Sequence, residues 1–165
     1  DLEFDLEGED SECNLQSASF LNKNDHQEIK TRINHLAPNC KSYQKVKNVL
    51  NSDGKGVYQG KIFVKDIAQK TNAYQLSKAI LLSDNSEFNS KPELEIYADD
   101  VVCSHGSISG TLNEDHLFYL RSRGIPLNEA QKKLIQAFYS EILDEVSEDN
   151  IVYYIQNQIS EMITL

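Results

Sequence analysis

Residues 57–64 read Val-Tyr-Gln-Gly-Lys-Ile-Phe-Val, and residues 73–82 read Ala-Tyr-Gln-Leu-Ser-Lys-Ala-Ile-Leu-Leu. The pair Tyr58-Gln59 recurs as Tyr74-Gln75 sixteen residues later, and an apolar run follows each pair. In a parallel β-helix each turn of the chain stacks on the preceding turn, so similar side chains recur at similar positions. The repeat favours a solenoid, although it covers only two turns and a β-sandwich is the simpler alternative.

The first two-thirds of the chain consists of short segments in which apolar and polar residues alternate. Polar corners that contain Gly or Asn separate these segments. Such a pattern is typical of β-strands, and no segment here has the length and period of a helix. An all-β module is therefore expected, whether a sandwich, a barrel or a solenoid. The predicted strands cover residues 2–8, 13–21, 29–36, 42–50, 57–65, 73–82, 93–98 and 101–105.

Helical signals begin near residue 112. Asn113 is a good N-cap, two acidic residues follow it, and Gly124 is suited to end a first helix. We therefore expect a β module over residues 1–111 and a small helical domain over residues 112–165.

Two further helices are predicted within this second part. Asn128, followed three residues later by Gln131, resembles a capping box, and a last helix is expected from about Asp149. Helices of this length are unstable alone in water, so their apolar faces must pack on each other, on the β module or on a partner. The residues expected on these faces are Ala130, Leu134, Phe138 and Ile142 in one helix and Ile151, Ile155, Ile159 and Met162 in the other.

The charge balance argues against a nucleic-acid-binding protein. The chain has 26 acidic and 16 basic residues and a formal net charge of −10. Binding through phosphates needs a basic face, and no block of Lys and Arg is present. The three lysines within residues 41–47 alternate with other residues and predict the solvent-facing side of a strand. No apolar run is long enough to cross a bilayer.

Three widely spaced cysteines, Cys13, Cys40 and Cys103, form no Cys-x-x-Cys pair. Free thiols in a reducing cytosol are therefore expected, rather than a disulfide framework or a zinc ribbon. Because the sequence opens at Asp1 within a strand-like alternation, we expect a fragment of a longer protein.

The chemically distinctive motif is Cys103-Ser104-His105-Gly106. On a strand, residues two apart share a face and lie about 6.6 Å from each other along the chain. A thiolate and an imidazole are both suited to iron or zinc, but two ligands are only half of a tetrahedral set. The motif predicts either half of a site that another chain completes, or a small buried thiol beside a hydrogen-bonded histidine.

The other motifs favour structural roles. A Cys–His nucleophile needs an orienting group and an oxyanion hole, which no motif supplies. Residues 53–56, Asp-Gly-Lys-Gly, lack the ending of a nucleotide-binding loop and predict a turn. His26 and His35 match no metal-ligand spacing and are expected to be hydrogen-bonded. A carbohydrate-acting enzyme on a β-helix would need an acidic cluster, for which residues 93–100 are the candidate segment.

Residues 91–106 read Lys-Pro-Glu-Leu-Glu-Ile-Tyr-Ala-Asp-Asp-Val-Val-Cys-Ser-His-Gly, and residues 117–125 read Leu-Phe-Tyr-Leu-Arg-Ser-Arg-Gly-Ile. Together they resemble the C-terminal core of the SufB/SufD family of iron–sulfur cluster assembly proteins, on the SufD side. Residues 34–42, Asn-His-Leu-Ala-Pro-Asn-Cys-Lys-Ser, are similar to a corner of the same family. Ser107-Ile108 departs from the Ala-Thr that is commoner there.

This resemblance implies a right-handed parallel β-helix followed by a small C-terminal helical domain. It implies a non-catalytic scaffold subunit that pairs with a SufB-like paralogue, or with itself, and binds a SufC-like ATPase. No tightly bound cofactor is expected, and a nascent iron–sulfur cluster would lie transiently at the partner interface. The complex would work in the bacterial cytoplasm or, in plants and some parasites, in plastids.

The resemblance also assigns roles to individual residues. In the family the Cys-Ser-His-Gly segment lies near the interface with the paralogue, and its histidine is implicated in cluster assembly. That role transfers to His105 and less directly to Cys103, and both are candidate transient metal ligands. The ATPase is expected to dock on residues 113–147, a surface assigned to Arg121, Arg123 and Gly124. The alternative is a purely structural bridging solenoid in which Cys103 and His105 have no part in cluster chemistry.

Overall fold

The structure is a computed structural model, and it describes residues 1–143, 146–163 and 165. Its first part is built from parallel strands. They are β1 (Leu2–Leu6), β2 (Glu12–Leu21), β3 (His26–His35), β4 (Lys41–Leu50), β5 (Lys55–Val64), β6 (Asn72–Leu81), β7 (Glu87–Ile96) and β8 (Val102–Gly110). The odd-numbered strands form sheet A, in the order β1-β3-β5-β7, and the even-numbered strands form sheet B, in the order β2-β4-β6-β8.

Successive strands alternate between the two sheets, so two strands make one turn of the chain. In sheet B, Glu12 pairs with Lys41, Lys41 with Asn72, and Asn72 with Val102. One turn therefore takes between 29 and 31 residues in this sheet. The predicted parallel β-solenoid, followed by a helical region, is confirmed.

The sixteen-residue repeat does not mark successive turns, and this part of the prediction was wrong. Tyr58 lies on β5 and Tyr74 on β6, which belong to opposite sheets. The repeat between turns is instead Tyr43-Gln44 against Tyr74-Gln75, which pair in register. A full turn needs two strands and two corners, so a spacing of sixteen residues covers only half a turn.

Left-handed backbone conformations form several corners between the sheets. Asp10, Asn39 and Lys70 have φ angles of 61°, 61° and 60°, and they follow β1, β3 and β5. The Asn39 N–H donates to the carbonyl of Gln69 at 2.9 Å, which joins the corners of successive turns. Asn and Asp adopt this conformation more readily than other L-residues. This preference explains why Asn-containing corners separate the strands.

The last two strands are longer than predicted. β7 begins at Glu87 rather than 93, and β8 ends at Gly110 rather than 105. Asn and Ser have low strand propensity and proline lacks an N–H, which hid the first half of β7 from the sequence pattern. Pro92 is tolerated because β7 is the edge strand of sheet A.

Three helices follow in the described part of the chain. The Asn113 side chain accepts a hydrogen bond from the His116 N–H at 2.9 Å, which confirms the predicted N-cap. Gly124 follows the first helix with a φ of 85°, as its helix-ending role requires. Asn128 is not a cap, because the second helix already begins after Pro126, whose ring presets φ. The helices are α1 (Glu114–Ser122), α2 (Leu127–Ser140) and α3 (Asp149–Met162).

Two of the four residues predicted to be buried near α2, Ala130 and Ile142, are buried. Leu134 and Phe138 are only partly buried, and the neighbouring Ile135 and Tyr139 are fully buried instead. An α-helix has 3.6 residues per turn, so positions four apart drift around its axis and do not all face the same neighbour.

The apolar face of α3 is buried only in its second half. Ile159 is buried as predicted, and Ile155 and Met162 pack against the same cluster. Ile151 is 45% exposed, so the predicted face does not extend to the start of the helix. Among the described residues, no helix is both long enough and apolar enough to cross a bilayer.

Helix α2 and sheet B share one hydrophobic core. Val49 of β4 lies in the same buried cluster as Ile135, Tyr139 and Ile142. The Tyr139 hydroxyl donates to the carbonyl of Ser19 at 2.6 Å, which anchors the helix to β2. Whether residues 1–111 and 112–165 are separate domains stays a prediction.

Lys47 contradicts the prediction that the lysines of residues 41–47 face solvent. Its side chain is 0% exposed, and its Nζ lies 2.6 Å from Glu141 Oε2. It also donates to the carbonyl of Phe138, and Lys45 Nζ donates to the carbonyl of Glu141 at 3.2 Å. The end of α2 covers this face of β4, and carbonyls at a helix C-terminus attract cations. A strand alternation cannot reveal such a cover.

Candidate functional site

Strand β8 lies at the end of sheet B and carries the Cys103-Ser104-His105-Gly106 motif. In register, Cys103 pairs with Ala73 and His105 pairs with Gln75. Ala73 and Gln75 are buried inside the solenoid. Because paired residues on neighbouring strands point to the same side of a sheet, Cys103 and His105 share the interior face.

The two side chains have different surroundings. Cys103 packs against the apolar cluster that contains Ile62 and Val64, and burial raises the pKa of its thiol. A thiol with a raised pKa is protonated at neutral pH and is a weak nucleophile and ligand. His105 is exposed, because β8 ends sheet B in the described chain. The imidazole is therefore the more accessible group of the pair.

Buried polar side chains fill part of the solenoid interior. Thr31, Gln44 and Tyr58 are each at most 3% exposed. The Thr31 hydroxyl donates to Gln44 Oε1 at 2.6 Å, and the Tyr58 hydroxyl donates to the same oxygen at 3.3 Å. Buried polar groups are stable only when they are paired in this way.

Gln75 extends this group towards His105, and we call Thr31, Gln44, Tyr58 and Gln75 together the polar column. Gln44 Nε2 donates to Gln75 Oε1 at 3.4 Å, and Gln75 Nε2 donates to the carbonyl of Gly60 at 3.2 Å. Gln44, Gln75 and His105 occupy one register position on β4, β6 and β8. His105 thus stands at the open end of a hydrogen-bonded column.

The open end of the solenoid exposes apolar side chains around this position. Val102 is 69% exposed and Ile108 is 59% exposed, both on β8, and Tyr97 after β7 is 61% exposed. Pro92 lacks an N–H and so weakens β7 as an edge for pairing. In the described chain no strand pairs with the outer edge of β8, which contains no proline. This end therefore combines an unpaired edge, apolar side chains and the Cys–His motif.

A second candidate surface lies at the C-terminal end of α1. The Gly124 N–H donates to the carbonyl of Arg121 at 2.9 Å, which closes the helix end. The guanidinium of Arg123 lies 5.2 Å from the centre of the Tyr119 ring. Phe118 is 74% exposed and, with Arg121, lines an open groove of about 570 Å³. The structure thus brings the three sequence-assigned residues together with two aromatic rings.

His35 and Cys40 each form a hydrogen bond inside the solenoid. The His35 Nε2 lies 2.9 Å from the Ser42 hydroxyl, which confirms the expected hydrogen bond. The Cys40 thiol is buried and donates to the carbonyl of Gly8 at 3.3 Å. Cys13, Cys40 and Cys103 are all free thiols.

Two carboxylates of the acidic segment 93–100 are paired with lysines. Glu93 lies 3.3 Å from Lys91, and Glu95 is paired with Lys61. The hydrogen bond from Lys61 lowers the pKa of Glu95, which keeps it ionised. Across residues 1–143, 146–163 and 165, no group of three or more His, Cys, Asp and Glu side chains could hold a metal ion.

The polar column and the aromatic rings of α1 were not predicted from the sequence. The signal for the column was the recurrence of Tyr-Gln at residues 43–44 and 74–75, which pair in register. Gly60 gave a second signal, because a Cβ there would lie 2.6 Å from Gln75. Nothing in the sequence indicated that Phe118 and Tyr119 are exposed, since an apolar pair in a helix ordinarily predicts burial.

Comparisons with known proteins agree with the geometry. A family profile described as "SUF system FeS cluster assembly, SufBD core domain" matches residues 1–138. The chain is 36% identical over 146 residues to the iron–sulfur cluster assembly protein SufD of Escherichia coli K12, covering 88% of this chain and 34% of that protein.

Two further relatives are also similar. An iron–sulfur cluster assembly SufBD family protein of Synechocystis is 43% identical over 114 residues, which cover 69% of this chain and 25% of the relative. The chloroplastic protein ABCI7 of Arabidopsis thaliana is 45% identical over 97 residues, which cover 59% of this chain and 20% of the relative. The chain spans about a third or less of each of these proteins. The family resemblance seen in the sequence is thus confirmed, and the chain belongs to the SufBD core domain family of the SUF iron–sulfur cluster assembly system.

Proposed function

We propose that this chain is part of a non-catalytic scaffold subunit that assembles iron–sulfur clusters together with a SufB-like paralogue and a SufC-like ATPase. The observation that carries the proposal is β8, which presents His105 and Cys103 on one face and whose outer edge pairs with no strand of the described residues. Family membership supports the assembly role. Because the chain spans 34% of the E. coli relative, these roles are proposed for the whole protein.

The edge of β8 is the proposed contact with the paralogue. Exposed edge strands pair with other chains through main-chain hydrogen bonds, and exposed apolar side chains add affinity. Val102 and Ile108 supply such side chains on the same strand. A second copy of the chain would meet the same requirements, so the partner is a SufB-like paralogue or a homodimer mate.

The cluster is proposed to form where this edge meets the partner. Cys103 and His105 offer two groups on one face, and the partner would supply the rest of the site. His105 is the accessible group, whereas the raised pKa of Cys103 disfavours its thiolate. The nascent cluster is a cargo that passes through the interface, and each group acts on it as a transient ligand or as a hydrogen-bonding group.

The helical region is proposed to dock the ATPase. Arg121 and Arg123 lie beside exposed Phe118 and Tyr119, a combination of residue types enriched at protein interfaces. ATP-driven movement of the bound ATPase would pull on α2, which is anchored in sheet B by Tyr139. We place this activity in the bacterial cytoplasm, in line with the similarity to proteins of E. coli and Synechocystis.

Substitution of His105 tests the assignment of the site. The change His105→Ala removes an exposed side chain, so folding and complex formation are expected to remain intact. Iron–sulfur cluster formation by the reconstituted complex is expected to be lost, as measured by the anaerobic visible absorption of the cluster. Ser109→Ala, an exposed inward position further along β8, is the matched control and should retain cluster formation. An unchanged cluster yield in His105→Ala would show that the site is wrongly assigned.

A purely structural bridge is the second candidate function, and the partial burial of Cys103 favours it. In that case Cys103 would be inert in the free protein and equally inert in the assembled complex. Alkylation with a thiol reagent, followed by peptide mass analysis, distinguishes the two. The scaffold proposal predicts that Cys103 reactivity changes when the partner binds, and an identical slow rate in both states supports the bridge.

A further inference from the structure

We infer that the two proposed docking surfaces are coupled through residues 110–113: pairing of the paralogue with β8 orders helix α1 and so strengthens docking of the ATPase. The inference rests on the proposed function, because it takes the β8 edge and the groove of α1 as the places where the two partners bind. It goes further by stating that each partner raises the affinity of the other.

Helix α1 is held only weakly in the free protein. It has nine residues, and none of them is buried. A helix of this length is unstable alone in water, so its order depends on neighbouring elements. These neighbours are α2, against which α1 packs, and the segment that precedes it in the chain. Elements with few buried contacts are the ones that open locally in native proteins.

The segment before α1 ties this helix to β8. Thr111, Leu112 and Asn113 are the three residues between the end of β8 and the start of α1. Three residues reach at most about 11 Å when fully extended. The start of α1 therefore cannot move far from the end of β8, and a displacement of one displaces the other.

The second half of this connection holds the first turn of α1. Leu112 packs against the buried cluster that contains Tyr139 of α2. The Asn113 side chain accepts a hydrogen bond from the His116 N–H at 2.9 Å, and the Leu117 N–H donates to the Asn113 carbonyl at 3.0 Å. The position of Leu112 and Asn113 thus decides whether α1 keeps its N-terminal cap.

The first half of the connection continues from the least supported part of β8. A Cβ added to Gly110 would meet no atom within 4 Å outside the adjacent residues, and Ile108 is 59% exposed. Because the Val102 N–H donates to the inner side of β8, alternation directs the N–H groups of Ser107 and Ser109 to the outer edge. A partner strand on this edge would bond these two groups and hold the end of β8 in place.

The thermodynamic consequence is positive cooperativity between the partners. The partner that binds first meets the entropic cost of ordering the connection and α1, and the second partner then binds a segment that is already ordered. Phe118 and Arg121, which line the groove proposed for the ATPase, belong to that segment. By linkage, the gain in affinity is equal in both directions.

Hydrogen exchange on the whole protein tests the ordering of α1 without any variant. The exchange of the amides of residues 117–122 is measured in the free protein and in its complex with the paralogue, in both cases without the ATPase. We expect these amides to exchange at least several-fold more slowly in the complex. Unchanged exchange in α1, together with new protection on β8, would overturn the inference and leave the proposed contact with the paralogue in place.

The affinity of the ATPase tests the cooperativity. We expect the ATPase to bind the preformed complex with the paralogue at least about fivefold more tightly than it binds the whole protein alone. Insertion of Gly-Ser-Gly between Gly110 and Thr111 lengthens the connection and keeps the residues that cap α1. This ratio of affinities should then fall to nearly one, while each partner alone binds as before. The same insertion after Asp84, in the exposed corner before β7, is the matched control and should keep the ratio.

The possible outcomes separate this inference from the proposed function. A direct contact between the paralogue and the ATPase would also raise the affinity, but that gain would survive the insertion and would overturn the role of residues 110–113. Equal affinities in the wild type would overturn the coupling, although both partners bind as proposed. If neither partner binds the wild-type protein, the proposed function fails, and the inference fails with it.

Discussion

At the scale of single residues, the solenoid interior contains several buried polar side chains. Most of them are paired within the interior, as Thr31, Gln44 and Gln75 show. His35 is an exception on one side of its ring: Nε2 bonds to Ser42, but Nδ1 is buried without a partner in the described chain. Such a histidine is stable only in the neutral form, so burial lowers its pKa to about 4.

His35 predicts a loss of stability in mild acid. Its pKa falls from 6.5 in the unfolded chain to about 4 in the folded chain, so between these values only the unfolded state binds the proton. The free energy of unfolding should therefore be highest above pH 6.5 and fall as the pH approaches 4. Between pH 7.5 and pH 5 the loss is expected to be about 2 kcal/mol.

Urea unfolding of the wild type and of His35→Gln at these two pH values checks this prediction. The variant should lose most of the pH dependence, whatever its absolute stability. His116→Gln, at an exposed position of α1, is the control and should keep it. If the free energy of unfolding changes equally with pH in the wild type and in His35→Gln, the loss of stability in acid does not come from His35.

Single residues also show what the sequence could and could not reveal. That Cys103 and His105 share a face follows from the strand period of two residues, which needs no knowledge of the rest of the fold. That Lys47 is buried does not follow, because its cover comes from Phe138 and Glu141, more than ninety residues away. The alternation of residues along one strand carries no information about contacts with residues so far away in the sequence.

At the scale of elements, the attachment of α2 to sheet B combines an apolar and an ionic contact. Tyr139 and Ile135 fill the apolar part. Glu141, at the end of the helix, receives Lys47 at 2.6 Å and Lys78 at 3.4 Å. Burial lowers the pKa of Lys47, whereas its bond to Glu141 lowers the pKa of that carboxyl. The ion pair therefore holds a buried cation that the strand alone would leave unpaired.

Removal of Glu141 should loosen this attachment. Glu141→Ala leaves Lys47 buried without its carboxylate partner, next to the carbonyl and the ring of Phe138. We expect the free energy of unfolding to fall by about 2 kcal/mol. Hydrogen exchange in α2 should accelerate more than in β4. Glu87→Ala breaks the exposed pair with Lys55, whose side chain is 53% exposed, and should cost less than about 1 kcal/mol. Equal costs for the two variants would show that the attachment is not ionic.

The elements differ in how well the sequence predicts them. The start of α1 was predicted, because Asn113 caps it through a local hydrogen bond. The buried face near α2 was predicted in part: Ala130 and Ile142 are buried, whereas packing on sheet B selects Ile135 and Tyr139 in place of the residues that precede them. The first half of β7 was missed because Pro92 reads as a strand breaker until the strand is known to be an edge.

At the scale of the whole molecule, the solenoid has an open end where sheet B stops at β8. The alternation predicted an all-β module, and the family resemblance implied that this module is a parallel solenoid. The length of a turn could not, because the sixteen-residue repeat mixes the two sheets and only the pairing of Tyr43 with Tyr74 shows the true period. The polar column depends on that period, and the recurrence of Tyr-Gln at residues 43–44 and 74–75 marks it once the two strands are known to pair.

The central claim is that this open end, with its helical region, joins two different partners into one assembly. Native mass spectrometry of the whole protein, mixed anaerobically with a SufB-like paralogue and a SufC-like ATPase, tests it most directly. The N–H of Val102 donates to Thr71 on the inner side of β8, so alternation along the strand directs the N–H of Ser109 to the outer edge. We expect one species whose mass contains all three proteins, and loss of the paralogue alone when Ser109 is replaced by proline. Circular dichroism of Ser109→Pro is the control for folding. A correctly folded wild-type protein that stays at its own mass, or a complex that keeps the paralogue in Ser109→Pro, would contradict the account.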